Sequence, residues 1–457
     1  MLKTRLPGSN ESAGIRLSLV ALRIAALLPV ALCSACDQAE EVASESGRVD
    51  ASSLHGKVMC GYQGWFRTPG DGQDLGWKHY RGPGRNDFRP GSAGIDFWPD
   101  LTEFADHERF DTPFKHADGS TAQVFSSAVR DTALRHFRWM EEYGIDGVFV
   151  QRFATEVTTK TSRADHATAR SCNVIVENCR AGAAESGRTY AMMYDLTGMT
   201  GERLKAIRDD WRYLVTEMKI LEDEAYQQHR GRPVLAIWGV GFGNDRKYGP
   251  KEVESLVKFF KDDPVCGGLT IMLGTSTGWR TGERDAASFD EWASVYRMAD
   301  VISPWTITRY RDAVGARKYA KGRAKEDQAW CDREGIDFMP VVFPGFSWAN
   351  LKAGTDQNPD AFVDRDGGRF LWSQYHALVS ETGAMMVYQA MFDELDEGTQ
   401  IFKASNDPPV GQSRFQSYEG LPSDHYLWLV GEATKRVRRE LPFEDELPER
   451  VNEEVER

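Results

Sequence analysis

Eight apolar runs, separated by segments of helical periodicity, constrain the fold of this chain more than any other feature of its sequence. The runs begin at Lys57 ("KVMCGYQGWF"), Gly144 ("GIDGVFVQRF"), Arg188 ("RTYAMMYDL"), Arg232 ("RPVLAIWGV"), Gly267 ("GGLTIMLGT"), Ala299 ("ADVISPWTI"), Ile336 ("IDFMPVVFPGFSW") and Gly383 ("GAMMVYQAMF"). Rich in Val, Ile, Phe and Met and without strict polar alternation, they read as strands of a parallel sheet covered on both faces. Between them, segments such as "SSAVRDTALRHFRWMEEY", "GERLKAIRDDWRYLVTEMKI", "KEVESLVKFFK" and "FLWSQYHALVSET" repeat apolar residues three and four apart, the spacing of an amphipathic helix. Right-handed crossovers between such units predict an α/β fold. Eight units match a closed (β/α)8 TIM barrel, whereas an open doubly wound sheet usually has fewer strands.

One connection departs from this rhythm. About 60 residues rich in Gly and Pro separate the first strand from its helix, and a loop of that length is usually functional. The predicted barrel domain spans residues 54–441, closing with a helix in "SDHYLWLVGEATKRVRREL", where Ser423 or Asp424 can serve as N-cap. Residues 442–457 read as a charged tail with little to pack. Ahead of the barrel, residues 37–53 ("DQAEEVASESGRVDASS" and its end) are polar and lack aromatics, the composition of a flexible linker.

Residues 1–36 read as an address. Lys3, Arg5 and Arg16 precede the apolar "IAALLPVAL", and "CSAC" resembles a bacterial lipoprotein cleavage box with Cys36 as the residue to be lipidated. The apolar stretch is too short to span a membrane. The expectation is an exported protein of the periplasm or cell envelope, attached to a membrane only through that lipid.

Composition narrows the partners. With 69 Asp+Glu against 56 Lys+Arg the net charge is −13, which argues against nucleic acid, because phosphate binding needs concentrated positive charge. The 13 Trp residues offer flat faces suited to stacking on sugar rings, or simply to filling a core. Of seven cysteines, those beyond Cys36 are irregularly spaced and define neither a disulfide framework nor a zinc site. No His-x-His pair stands on the first strand, where only His55 lies just ahead, so neither metal nor cofactor is predicted.

In a barrel of this type, chemistry sits at the carboxyl ends of the strands. Those ends are polar and aromatic here, and Tyr62, Gln151, Arg152, Asp195, Trp238 and Trp348 are the predicted substrate-binding residues. The last strand runs into "MFDELDEGTQI". Glycosidic cleavage requires one carboxylic acid to protonate the leaving oxygen and a second carboxylate as base or nucleophile. Glu394 and Glu397 meet that need if the chain turns between them, and Gly398 is consistent with such a turn. The alternative, a solvated acidic cap on a following helix, stays open on these residues alone.

"DELDEGTQI" resembles the catalytic segment of glycoside hydrolase family 99, the endo-α-1,2-mannosidases, with Glu394 and Glu397 in the two glutamate positions. Together with "KVMCGYQGWF", "TPGDG", "GWKHY", "GIDGVFVQRF" and "FPGFSWANL", the order and spacing from about residue 56 to 438 resemble the bacterial glycoside hydrolase family 71/99-like domain. The resemblance implies a (β/α)8 barrel that hydrolyses an α-linked oligo- or polysaccharide with retention. It gives Glu394 the role of a base on the sugar's own 2-hydroxyl, forming a 1,2-anhydro intermediate. Glu397 would protonate the leaving group and then activate water. Leu395 and Asp396 replace the family's Trp and His, which bears on mannose specificity more than on the acid pair. An α-1,3-glucanase, a xylosidase or arabinosidase, and a surface glycan-binding lipoprotein without turnover remain the alternatives.

Overall fold

The computed structural model describes residues 47–158, 162–243 and 246–450. The export signal, Cys36 and most of the expected linker lie outside them. Among the described residues no helix is long and apolar enough to cross a membrane.

The eight predicted runs form strands β1 (Lys57–Tyr62), β2 (Gly147–Phe153), β3 (Thr189–Asp195), β4 (Arg232–Val240), β5 (Thr270–Ser276), β6 (Val301–Trp305), β7 (Asp337–Phe338 and Val341–Val342) and β8 (Met386–Gln389). Neighbours pair in parallel, with β1 between β2 and β8. The closing strand is interrupted at Pro340, which has no N–H to give. Its first half pairs with β6 and its second with β8. Across the interruption, Met339 N–H donates to Ile302 O and Pro340 O accepts from Tyr388 N–H, both at 2.9 Å. Both edges of the sheet therefore belong to one segment, and the barrel is closed.

Alternation along the strands sorts side chains into two cores. Met59, Phe149, Met193, Ala236, Met272, Val301, Met339 and Tyr388 fill the barrel interior. Val58, Cys60, Tyr62, Val148, Val150, Tyr194, Leu235 and Ile237 point outward against the helices. The helices are α1 (Arg130–Tyr143), α2 (Arg163–Ser186), α3 (Ala206–Thr216), α4 (Pro250–Asp262) and α5 (Phe289–Tyr296). They continue with α6 (Ala313–Tyr319, running through a π turn into Lys325–Glu334), α7 (Arg369–Thr382) and α8 (His425–Val437). Their boundaries follow local chemistry. Ser162 and Asp165 form a capping box at the start of α2, and α1 stops at Gly144, whose φ of 74° suits glycine. Trp211 on α3 is fully buried, and its Nε1–H is satisfied by Cys266 O at 2.8 Å; burying such a side chain contributes on the order of 3 kcal/mol.

Two expected segment boundaries need correction. Residues 47–53, read as linker, are tied to the barrel: Val49 N–H donates to Gly187 O and Ala51 O accepts from Gln228 N–H, each at 2.7 Å. Residues 442–450, read as an unpacked tail, place Phe443 against Trp372 at 5.0 Å and pair Arg450 with Asp424 at 2.5 Å. Neither segment carries a helical or strand period, so the sequence signalled polarity but not docking.

The long β1-to-α1 connection is a folded layer. It contains an antiparallel hairpin (Phe110–Lys115 with Thr121–Val124) and its own aromatic core, including Phe66, Tyr80, Phe88, Trp98 and Phe125. Isolated bridges from Phe97 to Gln416, Pro99 to Ala404 and Lys115 to Val410 fasten it onto the connection between β8 and α8, which carries the acidic motif.

Candidate active site

The chain leaves β8 through a cis Ala390–Met391 peptide and makes a tight loop. Its neck is pinned by backbone bonds: Met391 N–H to Thr399 O at 2.9 Å, and Phe402 N–H to Phe392 O at 3.1 Å. Gly398 takes the left-handed conformation at φ 62°, and a Cβ there would lie 2.9 Å from Ser347 N. The expected turn between the two glutamates is therefore formed, and it has no room for a side chain at its exit. Three outside elements hold it. Phe392 N–H reaches Gly61 O on β1 at 2.8 Å, Leu395 O accepts from Asp96 N–H at 3.0 Å, and Glu397 O accepts from Ser347 N–H at 2.9 Å. Arg365 adds bonds to Gly398 O at 2.9 Å and Gln400 O at 2.8 Å, its guanidinium lying over Phe97, Tyr418 and Tyr426.

A solvated acidic cap is not what forms. Asp393, Glu394 and Asp396 are 0%, 5% and 2% exposed, and Glu397 is partly exposed. Each carboxyl has a different setting. Asp393 accepts from the backbone N–H groups of Gln63 and Gly64, both at 2.8 Å, joining the loop to the end of β1. Glu394 accepts from Gln63 Nε2 at 2.8 Å and from Thr399 Oγ1 at 2.6 Å. Asp396 lies 3.0 Å from His79 Nδ1. Among the described residues no side-chain hydrogen bond offsets the burial of Glu397, while Lys352 supplies an opposing positive charge.

Burial raises the proton affinity of all four. It lifts Asp393 to about 7 against its two backbone donors, Asp396 to about 8, and Glu397 to about 7 with help from the Asp396 charge. Glu394 is pushed well above the ordinary range by burial, then by Glu397 and Asp396, while Thr399 and Gln63 pull it back. Coupled carboxyls of this kind share protons, and an acid and a base coexist near neutral pH.

Strand parity sorts the predicted residues into those that face the barrel interior and those that face the helices. Gln151 shares the inward face of β2 with Phe149; its Nε2 lies 3.5 Å from Tyr388 Oη, and it lines a side cavity with Gln63, Trp65, Lys78, Phe153 and Glu156. Asp195 is inward on β3, buried, accepts from Thr197 N–H at 2.7 Å, and is raised to about 6 by that burial. Trp238 meets Trp305 edge-on at 5.6 Å. Trp348 lies beyond β7, against Phe346 at 5.0 Å, with Lys352 Nζ 4.8 Å from its ring centre.

Tyr62 and Arg152 take the other parity. Tyr62 Oη meets His136 Nδ1 at 3.0 Å beneath α1. Arg152 makes a two-pronged pair with Asp210 on α3 at 2.6 and 2.7 Å, and Asn173 on α2 accepts a further bond at 2.8 Å. Both are 2% exposed or less and lie between barrel and helices, away from the glutamates. Gln63 and Trp305 end their strands but are not among the six predicted contacts, and Thr399, His79 and Asp96 do not stand at strand ends at all. Gln63 had a signal, two residues beyond inward Gly61; His79 and Asp96 arrive from the long connection, whose length and, for His79, the "GWKHY" motif marked the segment but not the individual side chain.

One group with metal-ligand atoms occurs among the described residues: His55, His229 and Asp337, which precede or begin strands and so lie at the amino-terminal end of the barrel. Leu54 N–H donates to His229 Nδ1 at 3.2 Å, leaving Nε2–H to donate to Asp337 at 2.8 Å, and Arg230 also pairs with that carboxylate at 2.7 Å. The cluster reads as a closed ion pair.

No family model matches the sequence, and no curated protein does. Among solved structures, the fold is similar to that of the GH99 endo-alpha-mannosidase from Bacteroides thetaiotaomicron. The TM-score is 0.60 at 17% identity, covering 84% of this chain and 98% of that one. The same enzyme in complex with BIS-TRIS-propane gives a TM-score of 0.57 at 17% identity over 85% and 99%. The likeness extends across nearly the whole of the other chain and concerns the fold.

Proposed function

We propose that this protein is a glycoside hydrolase acting on an α-linked glycan, with Glu394 as base and Glu397 as acid. The observation that carries the proposal is the asymmetry of the two glutamates. Both oxygens of Glu394 face donors, Gln63 Nε2 and Thr399 Oγ1, and two donors favour the charged form. Glu397 is desolvated beside Asp396 with no such donors, a setting that retains a proton. Burial raises both, Glu394 the further despite its donors, so the assignment of roles rests on the donors that orient Glu394 and on the resemblance to family 99, not on which glutamate is the weaker acid. In the reaction suggested by the resemblance to family 99, Glu394 takes the proton of the sugar's 2-hydroxyl as that oxygen attacks the anomeric carbon. Glu397 gives its proton to the departing glycosidic oxygen. Water, deprotonated by Glu397, then opens the anhydro ring, and the proton on Glu394 returns to the 2-oxygen. Gln151, Asp195, Trp238 and Trp348 contribute polar and aromatic contacts to the sugars; Tyr62 and Arg152 do not.

Incubation with a panel of α-linked mannan, glucan, xylan and arabinan oligosaccharides, followed by product analysis, tests the proposal. Glu394→Gln and Glu397→Gln should each lower turnover by about 100-fold or more. Wild-type rates in both variants would refute the assignment, and binding without product would point to the non-catalytic alternative. We also propose export with lipid attachment at Cys36, motivated by "CSAC"; labelled palmitate should enter the wild-type protein but not Cys36→Ser, and equal labelling would refute it.

A further inference from the structure

Trp348 stands at a position that its own side chain cannot stabilise. It is the N-cap residue of the single turn Ala349–Lys352 and makes no side-chain cap bond, where Ser, Thr, Asp or Asn would offer an acceptor to the first free N–H groups. The acceptor comes instead from Asp96 in the long β1-to-α1 connection. Its carboxylate accepts from Ala349 N–H at 2.7 Å, from Asn350 N–H at 2.8 Å and from the Ser347 hydroxyl. Asp96 is 1% exposed, so water does not compete for these bonds. Its backbone reaches two more segments: the N–H donates to Leu395 O, between the two glutamates, at 3.0 Å, and the O accepts from Gln416 N–H, before α8, at 2.7 Å. Asn350 tightens the joint, its Nδ2 donating to Ile95 O at 2.9 Å and to Arg414 O at 2.7 Å.

We propose that Asp96 is a positioning residue for the leaving-group side of the glycan: it holds Trp348 and Lys352 at a fixed place beside Glu397, where the departing sugar is bound. The inference rests on the reading of Glu397 as acid and Trp348 as a sugar contact, and extends it to a residue too buried to touch a sugar.

Three physical points support it. First, Trp348 follows Ser347, whose N–H donates to Glu397 O at 2.9 Å, so one residue and one hydrogen bond separate its backbone from that of the acid. The turn that Asp96 caps begins after this partly exposed indole and ends at Lys352, whose Nζ lies 4.8 Å from the ring centre. An apolar ring and a hydrogen-bond donor are thus presented together. Second, a cap is worth about 0.5–2 kcal/mol, and a single turn is too short to hold itself, so without Asp96 neither side chain has a fixed position. Third, a Trp at a cap position is a local conflict, and such conflicts are expected where function selects the residue.

Full-length protein containing 5-fluorotryptophan, read by fluorine NMR with Trp348 and Trp211 assigned from their Phe variants, tests the placement. Asp96→Asn is nearly isosteric, yet whichever way its amide faces, the Ala349 or the Asn350 N–H loses its acceptor. The Trp348 resonance should shift or broaden, while that of Trp211 on α3 stays, showing that the barrel is folded. In parallel, kcat/KM for an oligosaccharide cleaved from the panel above should fall about tenfold further than for the glycosyl fluoride of the same donor sugar, because fluoride departs without a sugar for Trp348 to hold. Ser347→Ala, which takes one donor from Asp96 and spares both backbone bonds, gives the same two readouts if Asp96→Asn does not fold. An unmoved Trp348 resonance overturns the proposal, and so does an equal fall on the two substrates, the mark of general damage to the site. A displaced Trp348 resonance in a protein that cleaves none of the panel upholds Asp96 as the residue that places Trp348 and overturns the glycosidase reading instead.

Discussion

Replacing Glu397 with Gln should stabilise this protein at alkaline pH while abolishing its proposed activity. Glu397 is raised from 4.5 to about 7, chiefly by burial and then by the Asp396 charge. In the unfolded chain it ionises near 4.5, so between pH 4.5 and about 7 the folded state binds more protons than the unfolded one. Stability is fully present below the lower value and is lost as pH rises through the upper one. Each unit is equivalent to about 1.4 kcal/mol, and a rise of 2.5 units, from 4.5 to 7, therefore costs the wild type about 3 kcal/mol by pH 8.5. Gln is neutral throughout and has nearly the same shape. With about 400 folded residues and roughly 2.1 cal/mol/K of unfolding entropy per residue, 1 kcal/mol moves Tm by about 1.2 °C. Glu397→Gln should melt about 4 °C above wild type at pH 8.5 and within about 1 °C of it at pH 4.5, measured by calorimetry at one fixed scan rate. A melting difference that is flat across that range, or a variant less stable at pH 8.5, would refute the electrostatic account of the site.

Other substitutions separate structural from catalytic roles. Arg152→Ala removes the cation from buried Asp210, which keeps its bond from the Tyr194 hydroxyl at 2.6 Å, and should cost about 3–5 kcal/mol in denaturant unfolding, while a mild Arg152→Lys leaves KM for any cleaved glycan unchanged; a raised KM would return Arg152 to the site. Asp393→Ala leaves the Gln63 and Gly64 N–H groups without their acceptors and should cost about 2–4 kcal/mol in the same assay, with a parallel loss of turnover. Gly61→Ala would drive a Cβ to 2.2 Å from Tyr388 Oη and 2.3 Å from Met391, and should lower stability by about 1–3 kcal/mol with a fall in kcat; a neutral result would show that the barrel mouth yields more readily than its packing implies.

The barrel was legible because its signal is repeated: eight apolar runs and the helical spacing between them are local patterns, and ring closure follows from their count. Residues 47–53 and 442–450 were misjudged because docking of short irregular segments depends on a surface the sequence does not display. Within the site, the glutamates were legible from chemistry and resemblance, but strand-end position alone gave both parities. Applying the period of two would have separated them: Phe149 and Gln151 share one face of β2, while Val148, Val150 and Arg152 share the other.

The same logic explains why a loop with four carboxylates folds at all. Only Asp393 and Glu394 are satisfied by donors from their own end of the barrel. Asp396 depends on an imidazole delivered by a connection that begins at β1, and the turn beneath Glu397 depends on Ser347 and Arg365 from beyond β7. Adjacent carboxyls that would repel in water are held by groups far away in sequence, and burial in that loop raises the proton affinity of Glu397. The long connection is therefore part of the site, and shortening it should shift the pH at which Glu397 titrates before it unfolds the barrel. Excising only the tip of the Phe110–Lys115/Thr121–Val124 hairpin, which bears no site residue, should leave that midpoint where it is; a shift there would mean that the layer acts on the glutamates as a whole and not through His79 and Asp96.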